Sequence, residues 1–531
     1  MTQASSGIVR SSAIIAVGSV LSRMTGLVSL TLLVAVISSS NALSDAYHAA
    51  NGVPNILYEL LVGGILSAAL VPLLVARLDE EDHEATSAIV TVAVSAVGLA
   101  TVAAFAAIPA LSWFWSLNRP ASLDVDAYRR VVSLLLAWFV PQIFFYGLVT
   151  IVTALLHARG RFAAAAFAPV VNNLVVIAVL LTLRQRGTDL VTPDGVLGRA
   201  LDDRAALALL GAGTTAGVIT TALVLLPALW GGGYRLRPSR RWRHPAVAQL
   251  LRMSGWMAAY VVANQVTSAV LVQVANLGPP GTVSAFDTAY RYFIVPHGLL
   301  AVSLITALLP SQARFVVRGD QAGLRHQYAV GLRMTALVIT PAALAVVFLA
   351  RPGIDLVTSR SADLDALSWP LVAFGVGLPG FSLYLYCLRI FFAHRDTRTP
   401  FRINLFENVV QIGLSVALGV PYGATGLAAA HSVAYTISAV VAFRAANLRV
   451  GKVPLRAVRP LVGVAAAAVC AATVTSAAFA LAGWGGRTLA PVAALLMGSA
   501  VLAVSFVAYL WAWRCTGDLR WFASRVANLR R

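Results

Sequence analysis

Fourteen apolar stretches of about 20 or more residues run through this chain, and they decide its architecture before any single residue is considered. They span 11–38, 46–76, 86–110, 131–157, 163–183, 205–229, 250–276, 283–313, 328–350, 368–393, 402–420, 424–446, 460–482 and 488–513. A backbone inside hydrocarbon finds no water for its N–H and C=O groups, so each stretch must satisfy them internally as a helix. The predicted fold class is an all-α polytopic membrane protein with about 14 transmembrane helices. Only 11% of its 531 residues are charged, where a soluble domain carries about a quarter. The first stretch is too long for a signal peptide and lacks a cleavage pattern, so it reads as a retained helix.

The net charge of +19 would suit a nucleic-acid partner, but its distribution excludes that reading. The arginines gather in alternate loops, as the positive-inside rule requires: Arg159 and Arg161, then Arg235 to Arg243, Arg314 to Arg325, Arg395 and Arg398, and Arg444 to Arg456. The intervening loops are neutral or charge-balanced. An even number of crossings then places both termini in the cytoplasm. The loop around Asp79–Glu84 dissents, but acidic residues weigh little in this rule. Cys387, Cys470 and Cys515 show no metal spacing and imply neither disulfides nor catalysis.

An internal echo divides the chain. Residues 65–72 (ILSAALVP) resemble 304–310 (LITALLP), and Asn172-Asn173 matches Glu407-Asn408, each pair following a basic loop. The offsets, 310 − 72 = 238 and 408 − 173 = 235, both correspond to six helices. Two six-helix lobes of the same orientation would follow, at 1–230 and 231–450, with residues 451–531 forming two further helices and a cytoplasmic tail.

Charged residues inside these stretches mark function, because bilayer insertion of an arginine costs about 2.5–3.5 kcal/mol on the mildest scale. Arg23, Glu59, Arg291 and Glu407 are so placed. Arg23 is open to two readings, a structural partner of Glu59 or a bidentate phosphate ligand. Asp287 lies four residues before Arg291 and would bridge it locally. Asn404, Asn408 and Gln411 form a polar stripe beside Glu407, and Asn264, Gln265 and Gln273 form another; such stripes glue helices or bind ions. Pro54, Gly63 and Pro72, and later Pro296 and Gly298, bend their helices or hinge them. The chain lacks a P-loop and a metal-ligand histidine cluster, so it reads as a transporter, not an enzyme, driven by an ion gradient or the membrane potential.

Several motifs, taken in order, carry a family likeness: Ser22-Arg23-Met24-Thr25-Gly26, Ser44-Asp45-Ala46-Tyr47 with Val53-Pro54-Asn55, Ala158-Arg159-Gly160-Arg161-Phe162, Asp396-Thr397-Arg398-Thr399-Pro400 and Gly423-Ala424-Thr425-Gly426. The chain resembles the MurJ/MviN family, lipid II flippases of the multidrug/oligosaccharidyl-lipid/polysaccharide exporter superfamily. The resemblance implies a cationic cavity opening alternately to either side, with Arg23 and Arg291 on the diphosphate and Asp45, Asn55 and Glu59 among the cavity residues. It also implies a groove for the polyprenyl tail formed by the last two helices. There are departures. Ser29, Tyr58 and Glu59 stand where many members have arginines, and Leu271 and Asn408 stand where some have carboxylates for a cation. Asn404 and Asn408 would be neutral remnants of that site, leaving Glu59 and Glu407 as candidates for proton coupling.

The expected function is outward translocation of lipid II across the bacterial cytoplasmic membrane. Alternatives are a flippase for another polyprenyl-linked glycan, a cation-coupled multidrug exporter, and a membrane scaffold without transport. Expected partners are the glycan lipid, membrane lipids, and cell-wall synthesis or division proteins. No cofactor is expected beyond a proton or sodium gradient or the membrane potential.

Overall fold

The computed structural model describes residues 2–59, 74, 82–159, 161–230, 239, 244–358, 361–394, 396–453, 455–481 and 491–512. Among these, every regular element is a helix. Two compact units divide the chain, Met1–Ser284 and Ala285–Arg531. The division describes packing, whereas the boundaries expected at 230/231 and 450/451 rest on the internal echo in the sequence.

The first unit holds α1 (Thr2–Ile37), α2 (Ala42–Glu59), α3 (His83–Ala106), α4 (Ile108–Trp115), α5 (Val125–Phe139), α6 (Pro141–Ala158), α7 (Ala163–Gln185), α8 (Val196–Asp202), α9 (Arg204–Trp230) and α10 (Pro245–Ala275). Its core follows from the sequence of α5. Ala127, Tyr128, Val131, Val132, Leu135, Leu136 and Phe139 recur at helical spacing, and all are buried. They pack on α2 through Ala46, Tyr47, Ala50 and Val53. The Asp124 side chain starts α5 by accepting from the Ala127 N–H at 2.9 Å, and Asp82 does the same for α3 through Ala85. Small residues seat α9 on α7: a side chain at Gly213 or Gly217 would run into Val179 or Asn172.

The second unit comprises α11 (Thr282–Pro296, whose first turn belongs to the first unit), a π-turn at His297–Ala301, α12 (Val302–Val317), α13 (Gln321–Val357), α14 (Ser361–Ala393), α15 (Arg398–Val450), α16 (Leu455–Leu481) and α17 (Pro491–Ala512). The π-turn directly follows Pro296, which has no N–H to donate, and the helical register slips there. α16 and α17 pack on each other and on α13, burying Leu337, Val464, Ala467, Ala471, Phe506 and Leu510 together.

Twelve described stretches are long and apolar enough to cross a membrane. One of them, α15, has 53 residues and would extend about 80 Å if straight, far beyond a bilayer core of about 30 Å. It doubles back instead. Gly423 sits at φ 55°, ψ −135°, and the Gln411 side chain reaches His431, twenty residues on, at 3.3 Å. The stretches expected at 402–420 and 424–446 are therefore the two arms of this hairpin. Most of the second half of the stretch expected at 46–76 lies outside the described residues, so the count of fourteen stands unconfirmed.

Candidate functional site

The polar face of α2 begins the site. Asn51, Asn55 and Glu59 recur every four residues on one side of the helix, opposite the buried Ala46, Ala50 and Val53. Beside them a side chain added at Gly52 would meet nothing within 4 Å. This face borders open space. Asn55 folds back on its own helix, donating to the Asn51 carbonyl at 2.8 Å. Glu59 is exposed, and its Oε2 accepts from Gln265 Nε2 of α10 at 2.7 Å. Glu59 lies 17 residues from the start of α2, about 25 Å along the axis, and near the middle of the apolar stretch 46–76. An exposed carboxylate at that depth requires water or a polar cargo beside it.

Arg23 lies 14 residues before the end of α1, about 21 Å along its axis, and is half-buried. The residues around it face α7: Asn173 Nδ2 donates to the Ser22 carbonyl at 2.9 Å and to Thr25 Oγ1 at 3.0 Å. Arg23 makes no ion pair with Glu59, whose carboxylate is turned to Gln265 on α10. The structural pairing, one of the two readings of Arg23, is thus absent among the described residues.

Asp45 does not line the open face. It is fully buried in the first turn of α2 and gathers three donors. Its Oδ2 accepts from Arg119 Nη1 at 2.7 Å and the Gly281 N–H at 2.9 Å; its Oδ1 accepts from the Ser284 N–H at 2.9 Å. Asp45 thereby holds the backbone at the start of α11, where N–H groups lack helical partners. Arg119, 1% exposed, also donates to the Tyr128 hydroxyl and lies over that ring at 4.2 Å. Gly281 has φ +97°, and any side chain there would strike the backbone of Ser40 and Asn41, so the α1–α2 turn rests directly on it. Arg119, Tyr128 and Gly281 were not singled out from the sequence. The one available signal was an arginine beside a proline in a loop otherwise read as neutral.

In the second unit, Arg291 Nε donates to Asp287 Oδ2 at 2.7 Å, the local bridge expected from their spacing. Pro296 and Gly298 flank and occupy the π-turn, Pro54 is buried within α2, and Gly63 and Pro72 lie outside the described residues. Asn404, Glu407, Asn408 and Gln411 share a buried face of α15. Asn408 donates to the Asn404 carbonyl at 2.9 Å, and neither Glu407 carboxyl oxygen has a hydrogen-bond partner among the described residues. His431, on the second arm, is packed among Phe293, Phe374, Phe381 and Tyr435 with ring centroids 4.4–5.9 Å away.

A family model described as lipid II flippase MurJ matches residues 34–494, most of the chain. The chain belongs to the lipid II flippase MurJ family. A MurJ relative from Burkholderia cenocepacia, named lipid II flippase, is 30% identical over 401 residues, 72% of this chain and 73% of its own. A probable lipid II flippase MurJ from Vibrio cholerae is 27% identical over 458 residues, 83% of each chain. The fold agrees with a solved lipid II flippase MurJ in an inward closed conformation, with TM-score 0.75 and 19% identity, covering 95% of this chain and 99% of that one. An inward-facing multidrug MATE transporter of the MOP superfamily shares the fold more loosely, with TM-score 0.64 and 15% identity over 82% of this chain and 98% of that one. Asp45, Glu59, Arg291 and Glu407 lie inside the segment matched by the MurJ model. Arg23 precedes it by 34 − 23 = 11 residues, so its likeness to MurJ rests on the motif around it alone.

Proposed function

We infer that this multi-pass protein translocates lipid II from the inner to the outer leaflet of the bacterial cytoplasmic membrane by alternating access. The observation that carries this is the match to the flippase family across residues 34–494. The charged groups exposed at bilayer depth support it, since a flippase must offer a polar path to a head group that hydrocarbon rejects. Arg23 supplies a planar donor fork for the diphosphate. The face of half-buried Asn51 and Asn55 and exposed Glu59 supplies polar contacts beyond it.

Both termini lie in the cytoplasm on this reading, because the basic loops alternate as described. The chain acts by transport rather than catalysis and takes no cofactor. A proton or sodium gradient or the membrane potential drives it, with Glu59 and the Asn404–Glu407–Asn408 face as coupling candidates. Beyond the lipid itself, its partners are surrounding membrane lipids and proteins of cell-wall synthesis or division. A multidrug exporter would share the fold, but the likeness to MATE transporters is confined to that fold.

The test is depletion of the protein in cells without a redundant flippase, followed by measurement of labelled lipid II at the outer surface. Loss of surface exposure is expected; unchanged exposure would refute the assignment.

A further inference from the structure

Glu59 and Gln265 form a group with an unusual balance of donors and acceptors. One Gln265 N–H is spent on Glu59 Oε2 at 2.7 Å. What remains on the pair is Glu59 Oε1, a lone pair on Oε2, the Gln265 carbonyl oxygen and the second Gln265 N–H, three acceptors against one donor at a carboxylate. Gln265 is neutral and leaves that charge in place. Arg23 makes no ion pair with it. Phosphate is repelled from such a group. A hydroxyl would satisfy one acceptor without answering the charge, whereas an ammonium answers both, and more strongly in a cavity of lowered dielectric than in water.

We propose that Glu59 and Gln265 form a subsite for a primary ammonium group on the peptide of the transported lipid. This rests on the lipid II reading above and sharpens it. The diphosphate lies with Arg23 and the amine with Glu59, so the cargo is read at two points of opposite charge. Asn55, one turn before Glu59, is neutral and donates to its own helix, so Glu59 supplies the ionic contact among the described residues of this face.

The test compares binding of two lipid II forms to the purified full-length protein in detergent, one with a free side-chain amine on the peptide and one with that amine N-acetylated. The wild-type protein should bind the free-amine form about tenfold more tightly, equivalent to about 1.4 kcal/mol. Glu59→Gln, nearly isosteric, should bind the two forms within twofold of each other while melting at the wild-type temperature. Gln265→Ala should weaken the preference without abolishing it, because the charge persists. Equal binding of both forms by the wild type, or a preference surviving in Glu59→Gln, overturns the proposal and leaves the flippase reading standing. Failure of the wild type to bind either form overturns both.

Discussion

A carboxylate removed from water must collect donors at short range, and Asp45 collects three from segments far apart in the chain. Truncating one member of such a buried pair leaves the other uncompensated, at a cost of about 3–5 kcal/mol. Arg119→Ala should therefore lower thermal stability markedly in detergent, measured by scanning fluorimetry, and Asp45→Asn should do likewise, because the amide leaves the Arg119 charge uncompensated and turns an NH2 toward N–H donors. Arg23 predicts the opposite pattern. It makes no ion pair among the described residues, so Arg23→Ala should keep the wild-type melting temperature yet fail to complement depletion of the protein in cells. Complementation by that variant would remove Arg23 from the diphosphate site. The sequence pointed to Arg23 as a base misplaced in an apolar setting, and to Asp45 only through the family resemblance. It could not distinguish a charge with a partner from one without, because Arg119 is 74 residues from Asp45 and only folding brings them together.

Helices that turn tightly depend on single backbone positions. Gly423 holds a conformation that residues with a side chain rarely adopt, at a cost of about 1–3 kcal/mol. Close by, a side chain at Gly426 would strike the Leu418 carbonyl on the opposite arm. Gly423→Val is expected to lower the yield of folded protein, read by monodisperse recovery in size-exclusion chromatography. The segment between α7 and α9 is held differently. The Asp189 carboxylate accepts from the side chain and N–H of Thr192 and the N–H of Val191, which draws its pKa from 3.8 down to about 2. A carboxyl depressed in the folded state stabilises the fold above its unfolded value and loses that contribution as pH falls toward the folded one. Pepsin should spare this loop near pH 4 and begin to cut it as pH approaches 2, with Asp189→Ala cut already at pH 4. Apolar periodicity made these elements legible, including both arms of α15. The π-turn was not, since Pro296 announces a disturbance without stating its form.

For the whole molecule, length and hydropathy were enough to establish a helical membrane protein, because a bilayer permits so few alternatives. The family, too, was readable from short motifs that loops and helix ends preserve. Packing was less accessible: the start of α11 is held to Asp45 by the backbone N–H groups of Gly281 and Ser284, which carry no residue signature. The proposed orientation predicts that a fluorescent protein fused after Arg531 will fluoresce and that a phosphatase fused there will be inactive; the reverse would invert the topology. The Asp45 contacts also affect what genetics can see. Ser284 serves Asp45 through its main-chain nitrogen, and its buried hydroxyl has no hydrogen-bond partner among the described residues, so a mutational survey of all 531 positions should find alanine at 284 harmless and proline damaging. A position vital to the protein would thus look expendable to an alanine scan.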